Sequence, residues 1–189
     1  MLILKSWRKQ RKVKETLLAG GLCILPTDTI YGIHCRAFDK EAVERVYKLK
    51  GRNYSKPFIV LIPDIYALQA FNFSHSYLDT LKEKAASLWP GPNSIVLPVK
   101  SDNFYHLHRG QETLAFRIPN HPDFIALMTK TGPLISTSVN PSNKAPAVSI
   151  EQAMAYFGDN ISLYLDEGKL ANPPSSVYKY DQGEFVRLR

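Results

Sequence analysis

The run Leu22-Cys23-Ile24-Leu25 constrains this chain more than any other feature. It is four apolar residues long, too short for a helix, and Pro26 closes it. Such a run fits a strand buried on both faces, and a strand of that kind needs other layers packed over it. Behind the proline come Thr27, Asp28, Thr29, Tyr31 and Gly32. These place two hydroxyls, a carboxylate and a phenol at the carboxyl end of a strand. In open α/β sheets that is where ligands bind. Taken alone, the segment reads more simply as a polar turn that caps the strand.

The rest of the chain alternates in the same way. Residues 5–19 read as a helix with Val13, Leu17 and Leu18 on one face, stopped by Gly20-Gly21. A loop over 26–36 leads to a helix over 40–50, capped by Asp39, with Ala42, Val43, Val46 and Leu49 at helical spacing. Residues 58–62 read as a strand. Residues 76–88 read as an amphipathic helix ending at the corner Trp89-Pro90-Gly91-Pro92. Strands are expected over 95–99, 113–118, 134–135, 161–165, 175–180 and 184–188, and helices over 121–130 and 149–157. The polar segment 101–112, with His106, His108 and Arg109, reads as a surface loop. No repeat or low-complexity linker divides the chain. The expectation is one α/β domain over 1–189, a twisted mixed β-sheet flanked by helices.

Charge narrows the partners. The chain carries 24 Lys and Arg against 17 Asp and Glu, a net +7. The cations cluster in two stretches, 5–14 and 48–56, which suggests polyanions such as nucleotide phosphates or RNA. A solvated basic face explains the first cluster as well. No apolar run reaches the length of a membrane span, and the basic N-terminus lacks the apolar core of a secretory signal. A cytoplasmic protein without a membrane partner is expected. Two cysteines, Cys23 and Cys35, lack CxxC spacing and are expected as free thiols.

Three groups of residues could carry chemistry. The loop 50–57 gathers Lys50, Arg52 and Lys56 around Gly51. Arginine offers a planar fork and lysine a point charge for phosphates, but the order is not that of a P-loop. Cations offsetting a helix C-terminus would read the same way. The segment Ser136-Thr137-Ser138-Val139-Asn140 supplies three hydroxyls and an amide. In an extended chain Ser136, Ser138 and Asn140 face one side; a Ser/Thr turn is the plainer alternative. Arg117 is a lone charge in the apolar stretch 115–119. It must snorkel outward or meet a ligand carboxylate, because burial without an anion is costly. No GxSxG or HExxH pattern occurs, His121 fits a helix start, and no carboxylate or cysteine completes a metal site with His106 and His108. No metal site is expected. Anion binders and hydroxyls without an obvious nucleophile favour catalysis by positioning and charge stabilisation.

The order of these segments is itself informative. PTDTIYG at 26–32, Lys50 and Arg52 with Lys56-Pro57 after them, WPGP at 89–92, AxRxP at 115–119 and STSxN at 136–140 together resemble the YrdC-like family of threonylcarbamoyl-AMP synthases, in its short single-domain form. The resemblance runs from about residue 10 to the C-terminus. It implies a large, positively lined cavity over the sheet. It implies that L-threonine, bicarbonate and ATP give threonylcarbamoyl-AMP and pyrophosphate. A separate transferase complex would then modify tRNA, with weak tRNA contact possible for this chain too. Carried over by motif, Lys50, Arg52, Ser138 and Asn140 would be catalytic around ATP, joined by Lys56 and Arg187. Thr29, Arg117, Ser136 and Ser175 would hold threonine, with Thr27 and Tyr31 beside them. ATP would be a substrate and bring its own Mg²⁺. The chain departs from the family pattern at His34, Asn53, Asn93-Ser94, Asn143, Glu167 and Ser176, and none of these removes a signature side chain. Two other classes compete: an RNA- or nucleotide-binding module without turnover, and a carbamoyl-adenylate maker of the kind found within hydrogenase-maturation proteins. The latter comes with zinc-finger segments for which two cysteines do not suffice.

Overall fold

The computed structural model describes residues 1–181 and 183–189. In chain order the elements are β1 (Leu2–Leu4), α1 (Gln10–Leu18), β2 (Cys23–Pro26), β3 (Tyr31–Arg36), α2 (Lys40–Lys50), β4 (Ile59–Leu61), α3 (His75–Lys84), β5 (Asn93–Pro98), α4 (Tyr105–His108), β6 (Thr113–Arg117), α5 (Pro122–Thr131), β7 (Leu134–Ser138), α6 (Ile150–Phe157), β8 (Leu163–Leu165), β9 (Ser176–Asp181) and β10 (Glu184–Arg187). All strands join one ten-stranded sheet in the order β1-β8-β2-β3-β7-β4-β6-β5-β9-β10. Its pairing is mixed: β2, β3, β7 and β4 run antiparallel in turn, and β4 pairs parallel with β6. Among the described residues no helix is long and apolar enough to cross a membrane.

Alternation along the central strands divides their side chains between two layers. On one face Ile24, Ile33, Val60, Ile95, Phe116 and Ile135 pack with Val43 and Val46 of α2, Leu78 and Leu81 of α3 and Ala153 of α6. On the other, Cys23, Leu25, Leu61, Leu134, Leu163 and Leu165 pack with Val13 and Leu17 of α1 and Phe124, Leu127 and Met128 of α5. This second layer is incomplete. Further along the same face the strands carry Gly32, Ala115, Arg117, Ser136 and Ser138, small or polar side chains that line a cleft. Such residues give a covering helix little apolar area to bury. The sequence thus leaves half of one sheet face open.

Several local readings change in the structure. The expected loop 26–36 contains β3, which pairs with β2 through Cys23↔His34 and Pro26↔Tyr31. The alternation of Tyr31, Ile33 and Cys35 with Gly32, His34 and Arg36 is that of a half-buried strand, and reading 26–36 as one polar loop passes over it. Likewise, β7 extends through Ser138, so Ser136 and Thr137 are ladder residues between β3 and β4 and not part of a loop. Segment 101–112 is not a surface loop. It forms α4, where His106 and His108 are buried, each with its Nε2 paired to a carbonyl, Ala37 at 2.9 Å and Ser101 at 3.2 Å. His108 Nδ1 also accepts from the Gly110 amide at 3.1 Å, whereas His106 Nδ1 is buried without a partner. At the N-terminus the helix begins only at Gln10, and Leu2–Leu4 forms an edge strand beside β8, too short to show a period.

Other expectations hold. Asp39 caps α2 by accepting from the Ala42 amide at 2.9 Å, and His121 caps α5 through the Phe124 amide. Gly51 ends α2 in the left-handed region at φ 58°, a conformation that costs glycine nothing. Asn143, where the family pattern has glycine, adopts φ 68°, which asparagine tolerates. Cys23 and Cys35 are free and buried.

Candidate active site

Two clefts adjoin over the open half of the sheet and share Arg52 and Ser138. The first has a volume of about 430 Å³ and is lined by Thr27, Thr29, Tyr31, Arg117, Ser136 and Ser175, among others. The second, about 350 Å³, is lined by Lys50, Gly51, Arg52, Asn53, Lys56, Ser138, Asn140, Ser142 and Asn143. The first is mixed in character. The second is a concave surface of three cations, amides and hydroxyls, with no carboxylate.

Arg117 anchors the first cleft. It is only 5% exposed. Its Nε donates to the Gly91 carbonyl at 3.0 Å and its Nη1 to Thr29 Oγ1 at 3.2 Å, while Nη2 pairs with Asp28. Asp28 also accepts from the Asn120 amide at 2.9 Å. The anion that makes burial of Arg117 tolerable is therefore internal, a third solution beyond snorkelling and ligand pairing. Asp28 sits within the 26–32 motif, but nothing in the sequence pairs it with a residue 89 positions away.

The hydroxyls of this turn form a directed chain. Thr27 Oγ1 donates to the Ile30 carbonyl at 2.8 Å, so its single proton is spent. Thr29 Oγ1, 3.0 Å from it, must then be the donor of that pair, while accepting from Arg117. Thr29 consequently meets the cleft with lone pairs, suited to a ligand donor such as an ammonium. Tyr31 has a different role. Its hydroxyl donates to the Gly168 carbonyl at 2.8 Å and accepts from the Glu167 amide at 2.9 Å, which pins turn 166–168 over the cleft. Burial raises its pKa. Ser175 is buried with its Oγ 3.2 Å from that of Ser94.

In the second cleft, Lys50 is 4% exposed. Its Nζ donates to the Ser138 carbonyl, to the Asn140 carbonyl at 2.6 Å and to Asn140 Oδ1 at 3.2 Å. All three ammonium protons are thus directed to the turn after β7. Burial, and then the nearby charge of Arg52, bring its pKa down to about 7. Ser138 Oγ donates to Asn140 Oδ1 at 2.6 Å, and Ser142 ties the two loops together through the Lys50 carbonyl at 2.8 Å and the Gly51 carbonyl at 3.0 Å. Arg52 lies over the Phe58 ring, 5.1 Å from its centroid, with Nε on the Lys56 carbonyl at 2.9 Å. Its Nη2 donates to the Pro57 carbonyl at 3.2 Å.

Most sequence-derived candidates therefore converge on these clefts. Arg187 does not: it stands exposed on β10, donating to Ser176 Oγ and the Arg189 carbonyl, while Arg189 lines the first cleft. Val177 and Arg189 line the first cleft and escaped the sequence reading, while Asp28 reads in the sequence as part of the 26–32 motif but not as the partner of Arg117. Arg189 had no local signal, because only the β5–β9 pairing brings the C-terminus over the sheet.

Comparisons with known proteins bear on the family and the fold. The Sua5_yciO_yrdC family model, described as Telomere recombination, matches residues 15–189. A Pseudomonas fluorescens protein named threonylcarbamoyl-AMP synthase is 31% identical over 98% of this chain and 99% of its own length. One from Marinobacter nauticus is 36% identical over 92% of each. The crystal structure of P. abyssi Sua5 complexed with L-threonine superposes with a TM-score of 0.86 at 28% identity, covering 100% of this chain. This chain spans 57% of that protein's length. E. coli YciO, at 22% identity and a TM-score of 0.81, shares the fold.

Proposed function

The chain belongs to the Sua5/YciO/YrdC family, and from that premise we propose that it condenses L-threonine, bicarbonate and ATP into threonylcarbamoyl-AMP and pyrophosphate. The observation that carries this reading is the pair of joined clefts. One has a buried arginine and hydroxyl acceptors, as a zwitterionic amino acid requires; the other gathers three cations, as a triphosphate requires. The threonine-bound relative and the two full-length synthases favour turnover over a binding-only module.

The geometry suggests how the residues share the reaction. The threonine carboxylate would lie by Arg117 and its ammonium by Thr29 and Ser136. The ammonium first gives up a proton to solvent; the amine nitrogen then attacks the bicarbonate carbon, the bicarbonate hydroxyl leaves as water with a second nitrogen proton, and a carbamate forms. A carbamate oxygen then attacks the α-phosphorus in line, and pyrophosphate departs with the electron pair of the broken P–O bond. Arg52, shared by both clefts, would stand between the carbamate and the phosphates and offset charge there. Lys50 would hold the 138–140 turn in place and add positive charge, with Lys56 toward the outer phosphates. The amides, hydroxyls and cations of the second cleft do not suit a protein-held Mg²⁺, which favours oxygen anions, so the ion would arrive on ATP. The product is an activated acyl adenylate, which a tRNA-modifying transferase would consume. A cytoplasmic setting fits that supply.

The direct test is pyrophosphate release from ATP with threonine or bicarbonate omitted in turn. Release that requires both supports the assignment. Release without threonine, or none from folded protein, overturns it.

Lys50 adds a pH signature. Its pKa of about 7 in the free protein would rise when a triphosphate binds beside it. Below that value the lysine is already charged and affinity gains nothing from protonation. Above it, binding must take up a proton, and affinity falls by up to about tenfold per pH unit until the bound-state pKa is reached. Calorimetry of ATP binding from pH 6.5 to 9 should show this loss, with proton uptake. Lys50→Arg, which keeps its charge throughout, should lack the Lys50 contribution. Identical pH profiles for the two proteins would refute it.

A further inference from the structure

His34 lies beneath the floor of the first cleft, beside the cleft-lining Gly32 and Ser136. It is fully buried, directly opposite Ser136 in the β3–β7 ladder, with its ring edge-on to Phe124 at 5.0 Å between centroids. Its Nδ1 lies 3.2 Å from the Ile135 carbonyl. A carbonyl only accepts, so Nδ1 carries the proton. Burial lowers the pKa to about 3 against the pull of the Ile135 and Leu25 carbonyls, so the ring is neutral. Nε2 therefore bears a lone pair, and it has no hydrogen-bond partner. Buried polar atoms in folded proteins rarely lack one.

The direction of that lone pair is set by Gly32. A Cβ on Gly32 would stand 2.5 Å from His34 Nε2 and 3.2 Å from Ser136 Oγ. Only the missing side chain of a cleft-lining glycine leaves room for the ring edge, and the Ser136 hydroxyl is next to the same space. Ser136 is itself without a side-chain hydrogen bond among those found in the described residues, and it faces the cleft. Ser136 Oγ and His34 Nε2 thus border one unfilled space, and the serine hydroxyl, free to turn among its staggered positions, is the protein donor beside that lone pair.

From this we infer that His34 is a positioning residue for the amino-acid subsite: it takes the hydroxyl proton of Ser136 as a hydrogen bond and so turns the serine oxygen's lone pairs toward the substrate ammonium. Without an acceptor beneath it, Ser136 offers the cleft either a proton or a lone pair. With His34 engaged it offers only lone pairs, matching Thr29 across the cleft. Together they fix the zwitterion with its ammonium on the hydroxyls and its carboxylate toward Arg117. The inference rests on the functional reading above, because it concerns how threonine sits in that site.

The test uses two substitutions that separate the ring nitrogens. His34→Asn keeps a donor near Nδ1 and removes Nε2. His34→Gln reaches the Nε2 position with an amide oxygen. Threonine affinity is measured by calorimetry, together with the threonine KM, the ATP KM and kcat for pyrophosphate release; thermal melting establishes that each variant is folded. His34→Asn is expected to raise threonine Kd and KM about fivefold, the value of one neutral hydrogen bond, while the ATP KM stays unchanged. His34→Gln should recover most of the loss, and in a Ser136→Ala background His34→Asn should add nothing. Equal threonine affinity for the Asn and Gln variants, or an undiminished effect in Ser136→Ala, would show that His34 only fills space, and the inference fails alone. A wild-type protein that binds no threonine overturns the functional reading and this inference with it.

Discussion

Arg117→Ala is expected to eliminate threonine-dependent pyrophosphate release and to destabilise the fold in the same step. The guanidinium makes three separate contacts, to Gly91, Thr29 and Asp28. Its removal leaves the Asp28 carboxylate, 12% exposed as a side chain, without its cation. Breaking a buried pair from one side costs about 3–5 kcal/mol, because the surviving charge stays desolvated. It also frees Thr29 from the hydrogen bond that orients it. A loss of activity could then be dismissed as unfolding. Arg117→Ala with Asp28→Ala separates the two effects: removing both charges should restore much of the denaturation midpoint and none of the threonine dependence. Denaturant titrations beside threonine calorimetry would read both. Recovery of threonine binding in the double variant would show that Arg117 serves the fold and not the ligand.

Arg52→Ala should produce the other large loss, of a different kind. Arg52 lies on Phe58 and donates to carbonyls of its own loop, so its truncation strands no buried anion. Stability should change little. Yet it is the cation common to both clefts, beside the expected path from carbamate to α-phosphorus. Arginines that stabilise phosphoryl-transfer transition states are worth about 10³-fold or more in rate. A fall in kcat of that order is expected, with a smaller rise in the ATP KM. Arg52→Lys should recover only part of it, since a point charge lacks the planar fork. Steady-state kinetics at saturating threonine and bicarbonate would measure the split. A change confined to the ATP KM would place Arg52 in ground-state binding alone.

The two arginines differ in how much the sequence showed about them. Arg52 was legible because its neighbours are local: Lys50, Gly51 and Lys56 lie within six residues of one another. Arg117 was legible as an anomaly, a charge in an apolar strand, but its partner was not. Asp28 reaches it only because β6 and the turn after β2 meet above the sheet. Two strands read as loops because of the side chains on their cleft face. In β3 the alternation of Tyr31, Ile33 and Cys35 with Gly32, His34 and Arg36 is present but reads as a continuation of the polar 26–32 motif, and Ser136 and Ser138 make the end of β7 look like a loop. Those positions are polar or small because they form the cleft floor, so the residues that obscured the secondary structure are the ones that mark the site.

Sequence by itself determined the layered α/β class, the helix caps at Asp39 and His121, the end of α2 at Lys50 before Gly51, and a set of cations and hydroxyls suited to phosphate and a zwitterion. These depend on local properties: apolar period, side-chain acceptors near free amides, and the freedom of glycine. Only the tertiary structure decided that one sheet face is half covered, that Asp28 neutralises Arg117, that Lys50 spends its protons on the 138–140 turn, and that Arg189 rather than Arg187 lines the cleft. Each of those depends on segments distant in the chain being brought within a few ångströms. Their distances and burial set the charges, and neither can be read from residue order.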